Sequence, residues 1–215
     1  MPEVTAYDWV PDFAQGFVRD LRVRWALEEA GIGYTENLID HEEKLTPAYC
    51  RRQPFAQVPA YRDGPVDMFE SGAIVLRIAE GSDALMPQDD LGRARTVSWI
   101  FAAMNSVEPQ VMNVRMAELF WADQPWAADF GRKAGEGLKN RLGRLQDWLK
   151  GREFLEDRFT AGDLMMACVL REIAGSEHLA PYPELEAYCG RCVGRPAFKR
   201  ALAAQLKVFA AHETA

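Results

Sequence analysis

QPFAQVPAYRDGPVDMFESGAIVLRIAE, residues 53–80, is the stretch whose reading decides the fold. Val58-Pro59-Ala60-Tyr61 reads as extended, and Asp63-Gly64 is a turn signal between two short strands, the second ending at Met68-Phe69. Ser71 to Glu80 then spaces Ile74, Val75 and Ile78 as one face of a helix. Upstream, Val4 to Tyr7 is a short β-type run and Trp9 to Gly16 a loop. Phe17, Leu21 and Trp25 recur every four residues, which predicts a helix from Phe17 to Ala30 with Gly31 at its C-terminal cap. Tyr34 to Ile39 returns to strand character, and Thr46-Pro47 is an N-cap followed by proline at the first helical position. The order is βαβαββα, a mixed sheet with helices on its faces.

Downstream the pattern changes. Gly81 to Asp90 is a polar, proline-containing connector, and beyond it only helical spacing is found: Gly92–Trp121, Ala127–Leu149, Thr160–Ala174, Pro183–Val193 and Pro196–Phe209. The expected organisation is an α/β domain over residues 1–85 and an all-helical domain over 91–215.

The chain of 215 residues is long enough for two small domains, and 48% hydrophobic residues can build a core in each. It has no apolar run of transmembrane length, and its first residues lack a basic leader, so a cytoplasmic protein is expected. The net charge of −7 is concentrated: residues 1–85 hold 8 Lys+Arg against 15 Asp+Glu, whereas the remainder holds 17 of each. A nucleic-acid binder would carry the opposite sign, so no nucleic-acid partner is expected. The cysteines are Cys50, Cys168, Cys189 and Cys192. Cys189-Gly190-Arg191-Cys192 lies inside a helical pattern rather than after a strand, so it reads as two packed helix residues and not as a redox motif. No second pair completes a zinc site, and His41, His178 and His212 are scattered, so no metal is expected.

Several stretches, in order along the chain, resemble the glutathione transferase superfamily. RVRWALEEAGIGY (22–34) is similar to its first helix and the exit to strand two, and residues 53–60 resemble its N-P-x-G-x-V-P motif, with Gln53 for the usual Asn and Ala56 for the usual Gly. Residues 63–80 resemble its strand pair and the Glu-Ser that opens the third helix. REFLEDRFTAGDLMMACVL (152–170) and YPELEAYCGRCVGRPAFKRA (182–201) resemble segments of its helical domain. The resemblance implies a thioredoxin-like N-terminal domain, a helical C-terminal domain, a homodimer, and glutathione as co-substrate.

It also implies a binding site. The N-terminus of the third helix favours an anion, so Ser71 would hold the α-carboxylate of the γ-glutamyl group and Glu70 its ammonium. A cis Val58-Pro59 bond would turn the Val58 backbone toward the cysteinyl residue, with Gln57 beside it and Lys44 available for the glycyl carboxylate. The chemistry needs a thiolate, and a free thiol with a pKa of about 8.5 is mostly protonated at neutral pH. The family stabilises the thiolate with a Tyr or Ser hydroxyl, or uses Cys. Residues 9–20 contain no Ser, Thr or Cys, and Val10-Pro11 stands where Ser-type relatives carry Ser-Pro. Tyr7 is the nearest hydroxyl, although strand periodicity favours a core role for it. The reading preferred here leaves activation to the loop and the start of helix one, with the Gln15 amide and the Arg19 charge as helpers.

An apolar second-substrate pocket is expected between the domains, with Trp9, Phe13, Trp99, Met104 and Phe120 as lining. Thr160-Ala161-Gly162-Asp163 is a capping box, with Phe159 and Leu164 placed to staple it. The leading functional expectation is an enzyme joining glutathione to a hydrophobic electrophile, as in detoxification. A glutathione-binding regulatory protein without turnover and a glutathione-dependent isomerase are the alternatives.

Overall fold

The computed structural model describes residues 1–212. Strands β1 (Glu3–Tyr7), β2 (Thr35–Ile39), β3 (Ala60–Asp63) and β4 (Val66–Phe69) form one sheet in the order β2-β1-β3-β4. β1 runs parallel to β2 and antiparallel to β3, and β3 pairs antiparallel with β4. Helices α1 (Asp20–Ala30), α2 (Pro47–Cys50) and α3 (Ser71–Glu80) alternate with the strands, so the thioredoxin-like order is present. The β3–β4 hairpin closes through Gly64-Pro65, and Gly64 supplies a φ of 57° that a Cβ would oppose. The remaining described chain is helical: α4 (Asp90–Phe101), α5 (Glu108–Arg115), α6 (Ala127–Leu149), α7 (Ala161–Arg171), α8 (Pro183–Val193) and α9 (Pro196–His212). No helix among the described residues is long and apolar enough to cross a membrane.

Two elements differ from the sequence expectation. Helix α1 begins at Asp20 rather than Phe17, because Gly16 adopts a left-handed φ of 81° and the chain turns through residues 15–19. The long helix expected over 92–121 contains two π-helical segments, Ala102–Val107 and Met116–Phe120, flanking α5.

The chain forms two compact units, Met1–Leu85 with Arg195 onward, and Met86–Gly194. The last helix was expected within the all-helical domain, but it packs on the first unit. Its reason lies in side chains that the sequence pattern did not weigh. Arg195 donates to both carboxylate oxygens of Glu29 at 2.6 and 2.8 Å, and Arg200 pairs with Glu28 at 2.6 Å. Gln205 donates to Val18 O and to the buried Asp20 carboxylate, and Phe198 meets Trp25 edge-on at 4.8 Å. Every residue of α1 from Asp20 to Leu27 is therefore buried, including Arg24, which pairs with Asp20 and Glu36. Burial pushes the Asp20 carboxyl up, while Arg24 and Gln205 pull it back.

In the second unit the capping box closes as read. Thr160 Oγ1 accepts from Gly162 N–H, and Asp163 accepts from the Thr160 N–H at 2.9 Å. Phe159 and Leu164 are both buried, and the Phe159 ring meets Phe154 edge-on. The Asp163 carboxylate also accepts from Leu155 N–H at 2.8 Å and from Tyr188 Oη at 2.9 Å, tying the preceding loop and α8 to the start of α7. Cys189 and Cys192 are buried on α8 with free thiols, and burial pushes Cys189 up to about 11, so neither behaves as a reactive thiolate.

Candidate functional site

The site is built where β3 and β4 hand over to their flanking loops. The register Ala60↔Phe69 is the last pair of the ladder. Pro59 and Val58 precede that pair on one strand, and Glu70 and Ser71 follow it on the other. The Val58-Pro59 bond is cis, as the resemblance implied. Val58 is buried in a cluster with Ile39, Tyr49 and Ala60, and Tyr49 Oη donates to Gln57 O at 2.6 Å, which holds the segment down.

Glu70 is the N-cap of α3 and adopts φ 69°, ψ 112°, a conformation that costs a non-glycine residue about 1–3 kcal/mol. The Glu70 side chain makes no capping hydrogen bond to α3. Ser71 is therefore not the cap. It is the first helical residue, it is buried, and its Oγ accepts from Arg22 Nη1 at 3.4 Å. Arg22 is a residue at the site that the sequence reading did not single out, because α1 also carries Asp20, Arg24, Glu28 and Glu29 and nothing local marks this arginine among them. Ala56, the residue in place of Gly, has φ 52°. Gln53, in place of Asn, is buried and its side-chain oxygen accepts from Phe55 N–H at 2.7 Å, closing the turn that leads to Val58.

Tyr7 ends β1 and is half-buried against the Val58 cluster. Its hydroxyl accepts from Lys44 Nζ at 3.2 Å, and its ring stacks on His41 at 4.6 Å. Two residues assigned to separate roles thus meet at one oxygen. Lys44 has no carboxylate within 4 Å among the described residues, so its other two N–H donors face no fixed anion. Gln57 is exposed.

The expected activating groups around the loop are placed differently. The Gln15 amide nitrogen donates to Val10 O at 3.2 Å and toward Asp12, so it holds the loop together. Arg19 is exposed at the N-cap of α1. The first turn of α1 carries the buried Asp20 carboxylate, and Leu21 N–H and Arg22 N–H already bond to Val18 O and Arg19 O. Val10, which the resemblance set at the Ser-type position, is buried with Val208 and Phe209 of α9 in apolar core.

The residues expected to line a pocket divide between the units. Trp9 and Phe13 are exposed on the β1–α1 loop of the first unit. In the second unit Phe120 is exposed and Met104 half-buried, each in a π-helical segment. Trp99 is committed to its own unit: its indole N–H donates to Glu156 at 2.8 Å and its ring packs on Trp148.

The fold is a thioredoxin-like sheet in which a cis-proline segment leads into β3 and β4 leads into the N-terminus of α3. Residues 3–80 match the glutathione S-transferase N-terminal domain family. A glutathione S-transferase of Hyoscyamus muticus is 26% identical over 181 residues, spanning 77% of this chain and 82% of its own. The disulfide-bond oxidoreductase YfcG of Escherichia coli is 26% identical over 189 residues, spanning 82% and 86%. A glutathione transferase family member from Pseudomonas fluorescens pf-5, solved with two glutathione bound, superposes with a TM-score of 0.81 at 25% identity over 94% of this chain and 92% of its own. Residues 3–80 thus match the glutathione S-transferase N-terminal domain family, and most of the chain is similar to glutathione S-transferases in sequence and fold.

Proposed function

We propose that the protein is a glutathione transferase that adds the glutathione thiolate to a hydrophobic electrophile. The observation that carries this reading is Glu70, held at a positive φ at the α3 N-terminus, where its side chain makes no capping hydrogen bond. There the first N–H groups of α3 and Ser71 Oγ receive the γ-glutamyl carboxylate, and Glu70 receives its ammonium. Val58 pairs with the cysteinyl backbone, Gln57 adds a polar contact, and the free donors of Lys44 meet the glycyl carboxylate. Trp9 and Phe13, exposed on the loop, offer apolar contact to the electrophile.

Thiolate formation is assigned to Tyr7. A hydroxyl that accepts from an ammonium is polarised and becomes a stronger donor, and Lys44 supplies that ammonium. Lowering the thiol pKa by two units would require about 2.7 kcal/mol of preferential stabilisation, within reach of one charge-assisted hydrogen bond plus a nearby cation. This replaces the loop-based activation expected from sequence. A homodimer is part of the same reading.

A second reading, glutathione binding without turnover, is favoured by one observation: Val10, at the Ser-type position, is sealed into apolar core. Calorimetric titration with glutathione, followed by conjugation assays over a range of pH, separates the two. Binding with turnover, and a thiolate absorbance abolished in Tyr7→Phe, supports the transferase. Binding without turnover supports the second reading, and no binding sinks both.

A further inference from the structure

The second unit brings together three side chains that lie far apart in sequence. Glu118 sits in the π-helical segment Met116–Phe120, and Glu177 and His178 lie in the turns between α7 and α8. One ligand atom from each falls within 4.8 Å of the others, and His178 Nε2 is 2.5 Å from Glu118 Oε1. Scatter along the chain had argued against any of the histidines as a ligand; the fold removes that argument for His178.

Independent features support a ligand here. Glu177 takes part in no ion pair among the described residues, so two carboxylates converge with only an imidazole between them. Two clefts, of about 400 and 250 Å³, both open onto Glu177 and His178. Gly131 and Gly135 of α6 leave room there. The turn is fixed from below: Ser176 Oγ accepts from His178 N–H at 3.3 Å and donates to Ile173 O at 2.7 Å. π-Helical segments also recur at functional positions, and this one carries Glu118.

We propose that Glu118, Glu177 and His178 form a divalent-cation site of the zinc type, with its remaining coordination position facing the clefts and open to water or an anionic donor. A tetrahedral ion with bonds of about 2.0–2.2 Å holds its ligand atoms roughly 3.3–3.5 Å apart. The three atoms lie within 4.8 Å of one another, so small side-chain rotations bring them to that spacing as the Glu118–His178 contact opens around the ion. One imidazole with two carboxylates is a borderline donor set, suited to Zn²⁺ or Co²⁺ over the harder Mg²⁺ and Ca²⁺.

The test uses the full chain, stripped by a chelator and titrated with Zn²⁺ in a calorimeter and with Co²⁺ by visible spectroscopy. One equivalent of each is expected, with a cobalt spectrum lacking a thiolate charge-transfer band. His178→Ala and the conservative Glu118→Gln should each weaken binding by roughly tenfold or more while retaining the helical circular-dichroism spectrum. Absence of stoichiometric binding overturns the proposal. So does unchanged affinity in both variants, or a thiolate band, which would place the metal on cysteine.

Discussion

Replacing Asp163 with alanine tests how the second unit is held together. From sequence the residue is a capping-box partner, and loss of such a cap costs about 0.5–2 kcal/mol. The structure raises that figure. The carboxylate is buried and accepts from Thr160 N–H, Leu155 N–H and Tyr188 Oη at 2.8–2.9 Å, and from Thr160 Oγ1 at 3.2 Å. Alanine orphans two backbone donors and one phenol together, each worth about 1–3 kcal/mol when buried and unpaired. The hydroxyls can turn elsewhere, so a loss of about 3–5 kcal/mol is expected. For a chain of this size that lowers Tm by roughly 6–20 °C. Asparagine should fall between, because its NH₂ must face one of the backbone N–H groups. Tyr188→Phe alone should cost about 1 kcal/mol, yet clearly less in the Asp163→Ala background, where the phenol has already lost its carboxylate acceptor. Thermal and urea unfolding followed by circular dichroism give all four values. A loss under 2 kcal/mol for Asp163→Ala, or additive losses in the double variant, would refute the shared-acceptor reasoning.

Other changes probe the site and the backbone. Ser71→Ala should weaken glutathione binding by about 10–100-fold in calorimetry, the loss of a charge-assisted hydrogen bond; unchanged affinity would remove Ser71 from the carboxylate site. Ala56→Gly should stabilise the protein by about 0.5–1 kcal/mol, since the left-handed φ of 52° costs alanine more than glycine loses in chain entropy. Gly162→Ala should destabilise by about 1–3 kcal/mol although alanine is the better helix former, because its Cβ would lie 2.6 Å from the Trp99 Cβ, which has no rotamer to retreat to. Chemical denaturation checks both.

The parts of the fold governed by local rules were legible in the sequence. Ser71–Glu80 and Pro183–Val193 were placed to the residue, because each opens with a strong local signal and carries one apolar stripe. Thr160 and Asp163 were legible for the same reason, but their ties to Leu155 and Tyr188 were not, since no local rule connects positions so far apart. Helix α9 misled because amphipathicity shows that a helix has a buried face and not which core it joins; Arg195, Arg200 and Gln205 decide that through tertiary partners. The cis bond before Pro59 and the break from strand to helix at Glu70-Ser71 were readable from motif and resemblance together. The Tyr7–Lys44 and Glu118–His178 pairs were not, because each joins residues dozens of positions apart with no periodicity to link them.

The packing of α9 on the first unit bears on how the protein is made. The residues that cover Val10 and bond to Val18 and Asp20 are synthesised after the whole helical unit. Domains usually fold in order as they emerge during synthesis. Here the sheet-bearing part of the first unit comes first but must wait with α1 uncovered until α9 emerges, and the other unit can finish before it. A fragment cut at residue 85 would carry that exposed helix permanently, so the natural experimental dissection of the protein is one that keeps α9 joined to the sheet.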